Sequence, residues 1–141
     1  YTYSGHPVAC AAALKVLEIY ERDKLFDHAA EVGEYFQARL REEFIGHPLV
    51  GEVRGKGLIA ALELVSNKTT RASFEGGAGG AAAMRICEEN GLILRAVGGN
   101  ALAFCPPIII TKEQVDEMLA IVKPALDAAY AELLEKGLIA A

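Results

Sequence analysis

The sequence predicts an α+β fold, a small antiparallel sheet covered on one face by helices, and three observations predict it. Some stretches repeat their apolar residues near every 3.6 positions; others are short, apolar and partly β-branched; and the short ones come as adjacent pairs joined by glycines. Strands paired through tight turns run antiparallel, because a parallel pair needs a crossover of a dozen or more residues. Single strands alternating with helices, the mark of a doubly wound parallel sheet, are not the pattern here.

The elements follow in order. At the start, Ser4 can cap a helix, Pro7 is tolerated in its first turn, and Val8, Ala11, Ala12, Leu14 and Val16 carry it to about Arg22. A second helical stripe of Leu25, Phe26, Ala29, Val32, Tyr35, Phe36 and Leu40 ends before Gly46-His47-Pro48, and the two helices are expected to be antiparallel neighbours. Leu49 to Arg54 and Leu58 to Val65 read as a strand pair with glycines at the join. Asn67 to Gly80, polar and glycine-rich, reads as a flexible loop before a helix from about Ala81 to Asn90, closed by Gly91. Leu92 to Val97 and Ala101 to Phe104 flank Gly98-Gly99-Asn100, residues suited to the positive φ of a hairpin turn. Thr111 with Gln114 forms a capping box, and Val115, Met118, Leu119, Val122, Leu126 and Ala129 extend a last helix to about Leu134, with a kink expected at Pro124.

Composition narrows the function. A chain of 141 residues that is 52% hydrophobic can bury one core. With 14 basic against 19 acidic residues the net charge is −5, the wrong sign for a nucleic-acid partner. No apolar run approaches the roughly 20 residues of a membrane span. Cys10, Cys87 and Cys105 are odd in number and widely spaced, which predicts reduced thiols and a cytoplasmic setting. They form no zinc spacing, and His6, His28 and His47 are scattered, so no metal site is expected. The chain opens on Tyr1 rather than Met and enters a helix within a few residues, from which a fragment of a longer protein is expected.

Three stretches carry candidate chemistry. Thr2-Tyr3-Ser4-Gly5-His6 puts hydroxyls and unpaired amides at a helix N-terminus, which suits a phosphate, although a plain cap with no ligand is the better account from these residues alone. Arg95 alternates with Ile93 and Val97 on one strand face, where a charge is costly unless paired or wet. A guanidinium there can grip a substrate carboxylate through two hydrogen bonds or pair with a surface acid, and both readings stay open. Arg54-Gly55-Lys56-Gly57-Leu58 lacks the following helix of a nucleotide loop and reads as a structural turn. Gly76-Gly77-Ala78-Gly79-Gly80 lacks the Lys-Ser or Lys-Thr of a Walker loop.

Taken in order, Tyr1 to Pro7, Arg54 to Leu58, and Gly91 to Ala96 with Phe104-Cys105-Pro106-Pro107 resemble the class III (omega) pyridoxal-phosphate-dependent aminotransferases over nearly the whole chain. The resemblance implies that residues 1–22 end the large domain with a linking helix and that 23–141 form the small C-terminal domain of a fold-type-I enzyme. It implies that Thr2 binds the phosphate of pyridoxal 5'-phosphate in the neighbouring subunit's site, that Tyr1 lies beside that phosphate, and that Arg95 is a mobile side chain for the substrate carboxylate. It further implies a homodimeric transaminase acting on an amine or amino acid and a keto acid such as pyruvate.

None of Lys15, Lys24, Lys56, Lys68, Lys112, Lys123 or Lys136 resembles the family's Schiff-base lysine, so no catalytic residue is assigned in the chain and the fragment alone is expected to be inactive. A related aminomutase or decarboxylase is the alternative within the cofactor class. The alternative outside it is a non-catalytic module docking through the apolar helix from Val8 to Leu17.

Overall fold

Helix α1 spans Pro7–Arg22, α2 Leu25–Phe44, α3 Ala78–Glu89 and α4 Lys112–Glu135; the strands are β1 (Val50–Lys56), β2 (Ile59–Asn67), β3 (Ala72–Ser73), β4 (Arg95–Val97) and β5 (Ala101–Phe104). This is a computed structural model describing residues 2–139. The sheet runs β1–β2–β5–β4 with every neighbouring pair antiparallel, and β3 pairs with the far end of β2. The chain is thus an α+β unit, as its paired strands required.

Alternation along the strands gives the sheet two unlike faces. One row of register partners, Val53–Leu62–Leu102–Ala96, and the next, Gly55–Ala60–Phe104, face the helices. There Leu62, Leu102 and Phe104 are fully buried, joined by Phe36, Leu40 and Phe44 of α2 and Val122 and Leu126 of α4. The rings of Phe36 and Phe104 meet edge to face with centroids 5.9 Å apart, fastening α2 to β5. Helices α2 and α3 lie against the sheet, and α4 packs on both of them.

Two glycine contacts set how closely these layers approach. A Cβ on Gly33 of α2 would stand 2.6 Å from the Gly57 Cα in the β1–β2 turn, and Gln37 one turn later donates Nε2–H to the carbonyls of Gly57 (2.9 Å) and Ile59 (3.2 Å). The stretch Gly76 to Gly80, expected as a flexible connection, is instead a packed junction. It holds a 3₁₀ turn at Glu75–Gly77, and a Cβ on Gly80 would stand 2.1 Å from the Gly99 carbonyl oxygen of the β4–β5 turn. Buried Asn100 completes that junction, donating to the Phe74 carbonyl at 2.9 Å and accepting from the Gly80 amide at 3.5 Å. Strand β3 also lies within the expected loop; two residues are too few to show a period.

Other expectations need adjustment. No residue of α1 is buried, so α1 does not lie along α2 as a packed antiparallel neighbour. Its contact is confined to the junction, where Tyr20 and Phe26 stack edge to face at 5.4 Å. Ser4 does not cap α1; the N-cap position belongs to His6, which makes no side-chain cap bond. The Thr111–Gln114 capping box forms as expected, and α4 continues through Pro124 as one 24-residue helix.

Candidate functional site

The face of the sheet away from the helices carries the candidate chemistry. Register places Arg54 (β1), Ala61 (β2), Ala103 (β5) and Arg95 (β4) in one row across it, with Glu52, Glu63, Ala101 and Val97 in the row beside it. The middle strands contribute mostly alanines, so the face is a shallow trough with longer side chains at its two edges. Cys105, two residues beyond Ala103, lines the same surface and is exposed.

The two arginines of the first row differ in their surroundings. Arg54 forms an ion pair with Glu63, with nitrogen and oxygen 2.7 Å apart, and stands 3.6 Å from Glu52. Glu52 and Glu63 face each other directly across the β1–β2 ladder, an arrangement that costs energy unless a cation sits between them, and Arg54 supplies it. Arg95 makes no ion pair with any of the described residues. Of the two ways its charge was expected to be met, a partner or water, the structure provides the second: Arg95 is exposed on the uncovered face.

Beside Arg95 opens a cavity of about 540 Å³, lined by Leu92, Arg95, Val97, Cys105, Pro107 and Met118 among others. Among the described residues Arg95 is the one charged side chain in its wall. β4 is the last strand of the sheet, so its outer edge is open, and Pro106-Pro107 ends the pairing of β5 beside it. A second cavity of about 280 Å³ adjoins it across Val97, Ala103 and Cys105 and extends over the alanine floor to Arg54. A lone guanidinium at the mouth of an apolar cavity can bind one carboxylate through parallel hydrogen bonds.

Thr2 is exposed in the turn that leads through Gly5 (φ +74°) to the first helical residue, Pro7. With no side-chain cap on α1, its first amides have no side-chain acceptor among the described residues, and the Thr2 hydroxyl precedes them by one turn of chain. Donors of this kind fit a phosphate. Thr2 lines neither cavity beside Arg95, so the structure does not bring these two residues together. Tyr1 lies outside the described residues.

No group of three His, Cys, Asp or Glu side chains among the described residues can hold a metal ion. Two of the three histidines make structural contacts, and His6 is exposed at the start of α1. His28 Nε2 meets the Ile110 carbonyl at 2.9 Å, while His47 Nδ1 accepts the Leu49 amide at 3.1 Å and its Nε2 faces Asp127 at 3.3 Å. Burial lowers the His47 pKa and favours the neutral ring that this bonding pattern requires.

Reading the sequence residue by residue overlooked the link between Arg54 and Arg95. Arg54 is read as the end of the first strand and the start of a structural turn, with no chemistry of its own, yet it shares a face with Arg95. The available signal was the alternation itself: Ala61, Glu63, Ala101 and Ala103 are the small or polar positions of strands whose other positions are Leu62, Leu64, Leu102 and Phe104.

Comparison with known proteins bears on this site. The family model for aminotransferase class-III matches residues 1–126. A putrescine–pyruvate aminotransferase of Pseudomonas aeruginosa is 44% identical over 135 residues, covering 95% of this chain and 29% of its own length. A diaminobutyrate–2-oxoglutarate transaminase of Halomonas elongata is 42% identical over 147 residues, covering 100% of this chain and 30% of its own. Among solved structures, an omega transaminase from Pseudomonas jessenii in complex with PMP superposes with a TM-score of 0.85 at 44% identity, over 92% of this chain and 28% of that one. The chain therefore spans about 30% of the length of the relatives it matches.

Proposed function

The chain belongs to the class-III aminotransferases, and on that premise we propose that it is the substrate-selecting part of a transaminase that moves an amino group between an amine or amino acid and a keto acid such as pyruvate. The observation that carries this reading is Arg95, a guanidinium without an ion-pair partner among the described residues, at the mouth of an apolar cavity. In this role Arg95 grips the carboxylate of a keto acid or amino acid and swings aside for an amine that has none. An apolar amine then avoids leaving that charge desolvated and unpaired.

Class-III aminotransferases use pyridoxal 5'-phosphate, which when bound supplies the electron sink that amino transfer needs. In this chain the Thr2 hydroxyl is assigned to the phosphate, with Tyr1 beside it. The open amides at the start of α1 support that assignment, because a phosphate is the kind of acceptor they lack. Residues 1–22 are read as the end of the large domain with its linking helix, and 23–141 as the small domain. The uncovered apolar residues of α1, Val8 (72% exposed), Leu14 (63%) and Leu17 (54%), support a covering large domain and a homodimer in the whole protein. The anchoring lysine is assigned outside these 141 residues, so the chain by itself is proposed to be inactive. A cytoplasmic location fits three unpaired cysteines.

The relatives' names include both pyruvate and 2-oxoglutarate as acceptors, and the apolar wall around Arg95 favours the monocarboxylate. A second carboxylate in that cavity would face no second cation. Arg95→Ala in the whole protein tests the role. Losing hydrogen bonds to a charged group, at about 1.5–3 kcal/mol, predicts a roughly ten- to hundredfold lower kcat/KM for pyruvate, with the half-reaction from a carboxylate-free amine largely spared. Equal losses on both substrates would remove Arg95 from carboxylate binding.

A further inference from the structure

Resting on the carboxylate-binding role of Arg95, we propose that Glu63 is the docking point for the Arg95 guanidinium when it is withdrawn from substrate, and that Ala103 and Ala61 form the floor across which the side chain lies. The register supplies the geometry. Arg95, Ala103 and Ala61 are consecutive members of one row, and Glu63 is the next residue of β2 on the same face. Two strand spacings and one same-face step put the Cα atoms of Arg95 and Glu63 roughly 12 Å apart. Extended arginine and glutamate side chains together with one hydrogen bond span about that distance.

Shape and charge agree with this path. The cavity of about 280 Å³ is lined by Ala61, Ala101 and Ala103, so the floor that separates Arg95 from Glu63 is open, although neither of those two residues lines it. The residues under the path are alanines, and a larger side chain at position 103 would stand between Arg95 and the rest of the row. At the far end two carboxylates, Glu52 and Glu63, share one guanidinium, that of Arg54. This trio carries a net charge of −1, and a carboxylate has lone pairs enough for a second guanidinium. Arg95 makes no ion pair among the described residues and is free to take that place; Lys56, the other unpaired cation of this face, lies at the far end of β1.

Docking on Glu63 makes the withdrawn state a defined alternative rather than loss into solvent, and it competes with substrate for one guanidinium. Weakening it therefore favours carboxylates and penalises amines without one. The test uses the whole protein and two readouts: the dissociation constant of propionate, and the single-turnover rate with 1-phenylethylamine followed by cofactor absorbance.

Glu63→Gln, which keeps the shape and removes the charge, is expected to tighten propionate about two- to fivefold and slow the amine by a similar factor, the size of a solvent-facing ion pair. Ala103→Val blocks the path without touching Arg54 or Glu63 and is expected to give the same opposed shifts. In an Arg95→Ala background Glu63→Gln is expected to move neither readout.

Shifts of the same sign, no shift, an effect of Glu63→Gln that Ala103→Val does not share, or an effect that survives in the Arg95→Ala background would overturn the docking. If Arg95→Ala itself leaves propionate affinity unchanged, it is the carboxylate-binding role that has failed.

Discussion

Gly80→Ala offers a sharp test of how the hairpin that carries Arg95 is held. Gly80 lies inside α3, where replacing glycine by alanine ordinarily gains about 1 kcal/mol. Here the new Cβ would stand 2.1 Å from the Gly99 carbonyl oxygen and 3.0 Å from the Ala96 Cβ. A carbon and a carbonyl oxygen rest at about 3.3 Å, so the turn must retreat by roughly 1 Å. The obstacle is backbone, and its neighbour Asn100 is bonded both to the Phe74 carbonyl and to the Gly80 amide, so the retreat also strains those bonds.

Overpacking of this kind costs about 1–3 kcal/mol; with backbone on both sides the upper part of that range applies, and subtracting the helix gain leaves a net loss of about 1–2 kcal/mol. Urea unfolding followed by far-UV circular dichroism measures it, and the thermal midpoint should fall by roughly 3–10 °C. Gly46→Ala serves as the control. A Cβ there meets nothing within 4 Å, and stability should stay within about 0.5 kcal/mol of the parent. If Gly80→Ala proved as stable as the parent with an unchanged m-value, the close approach of α3 to the turn would be refuted.

Three further outcomes are expected. Asn100→Ala removes the donor to the buried Phe74 carbonyl and should destabilise the chain by about 1–3 kcal/mol; Asn100→Asp, which puts an acceptor where a donor stood, should not rescue it. In the native chain Cys10 and Cys105 should react promptly with a thiol reagent, and Cys87 only on unfolding. Burial pushes the Cys87 thiol up to about 11, so the folded state holds that proton more tightly than the unfolded state does. The resulting stabilisation is complete below about pH 9 and is lost as pH rises towards 11, and Cys87→Ala should flatten that alkaline decline in unfolding free energy. Thr2→Ala in the whole protein should raise the pyridoxal phosphate concentration needed for half saturation roughly tenfold, measured by equilibrium dialysis; unchanged retention would remove Thr2 from the phosphate site.

Elements with a clear period were legible in the sequence. Phe36 and Leu40 on α2, Val122 and Leu126 on α4, and Leu62 and Leu102 on neighbouring strands all sit where their spacing predicted, because burial of a repeating apolar set admits one orientation. The misreadings have physical causes. Glycines at positions 76–80 look the same in sequence whether they loosen a loop or let two backbones touch, and only the facing Gly98-Gly99 turn decides between these. Helix α1 was expected to lie beside α2 because the two helices follow one another in the chain, yet adjacency in sequence and an apolar face do not name what covers that face. Ser4 met the preference for a cap, but Gly5 turns the chain one step too late for it, and His6 takes the position.

For the candidate site, individual residues were legible and their arrangement was not. Arg95 stood out as a charge in an apolar strand, and Arg54 only as the point where a strand meets a structural turn. What joins them is register, which depends on the Gly98-Gly99-Asn100 turn and on the bulge between Val50 and Glu52 in β1. A slip of one residue in β4 would put Arg95 against the helices and Ala96 on the open face. The glycine junction behind the hairpin and the carboxylate grip in front of it are therefore coupled: Gly80, Gly99 and Asn100 touch no candidate ligand, yet they fix the side of the sheet on which the guanidinium emerges.

That coupling separates two kinds of substitution that sequence alone would class together. Changes in the Leu62–Leu102 row should be read in unfolding free energy, because those side chains are fully buried against the helices. Changes at Ala61, Ala103 and Arg95 lie on a face without helices and should cost little stability, so their effects belong to what the face binds. Alternate residues of the same two central strands thus answer to different measurements. A variant at Ala103 that unfolded the chain as badly as one at Leu102 would show that the two faces are not independent.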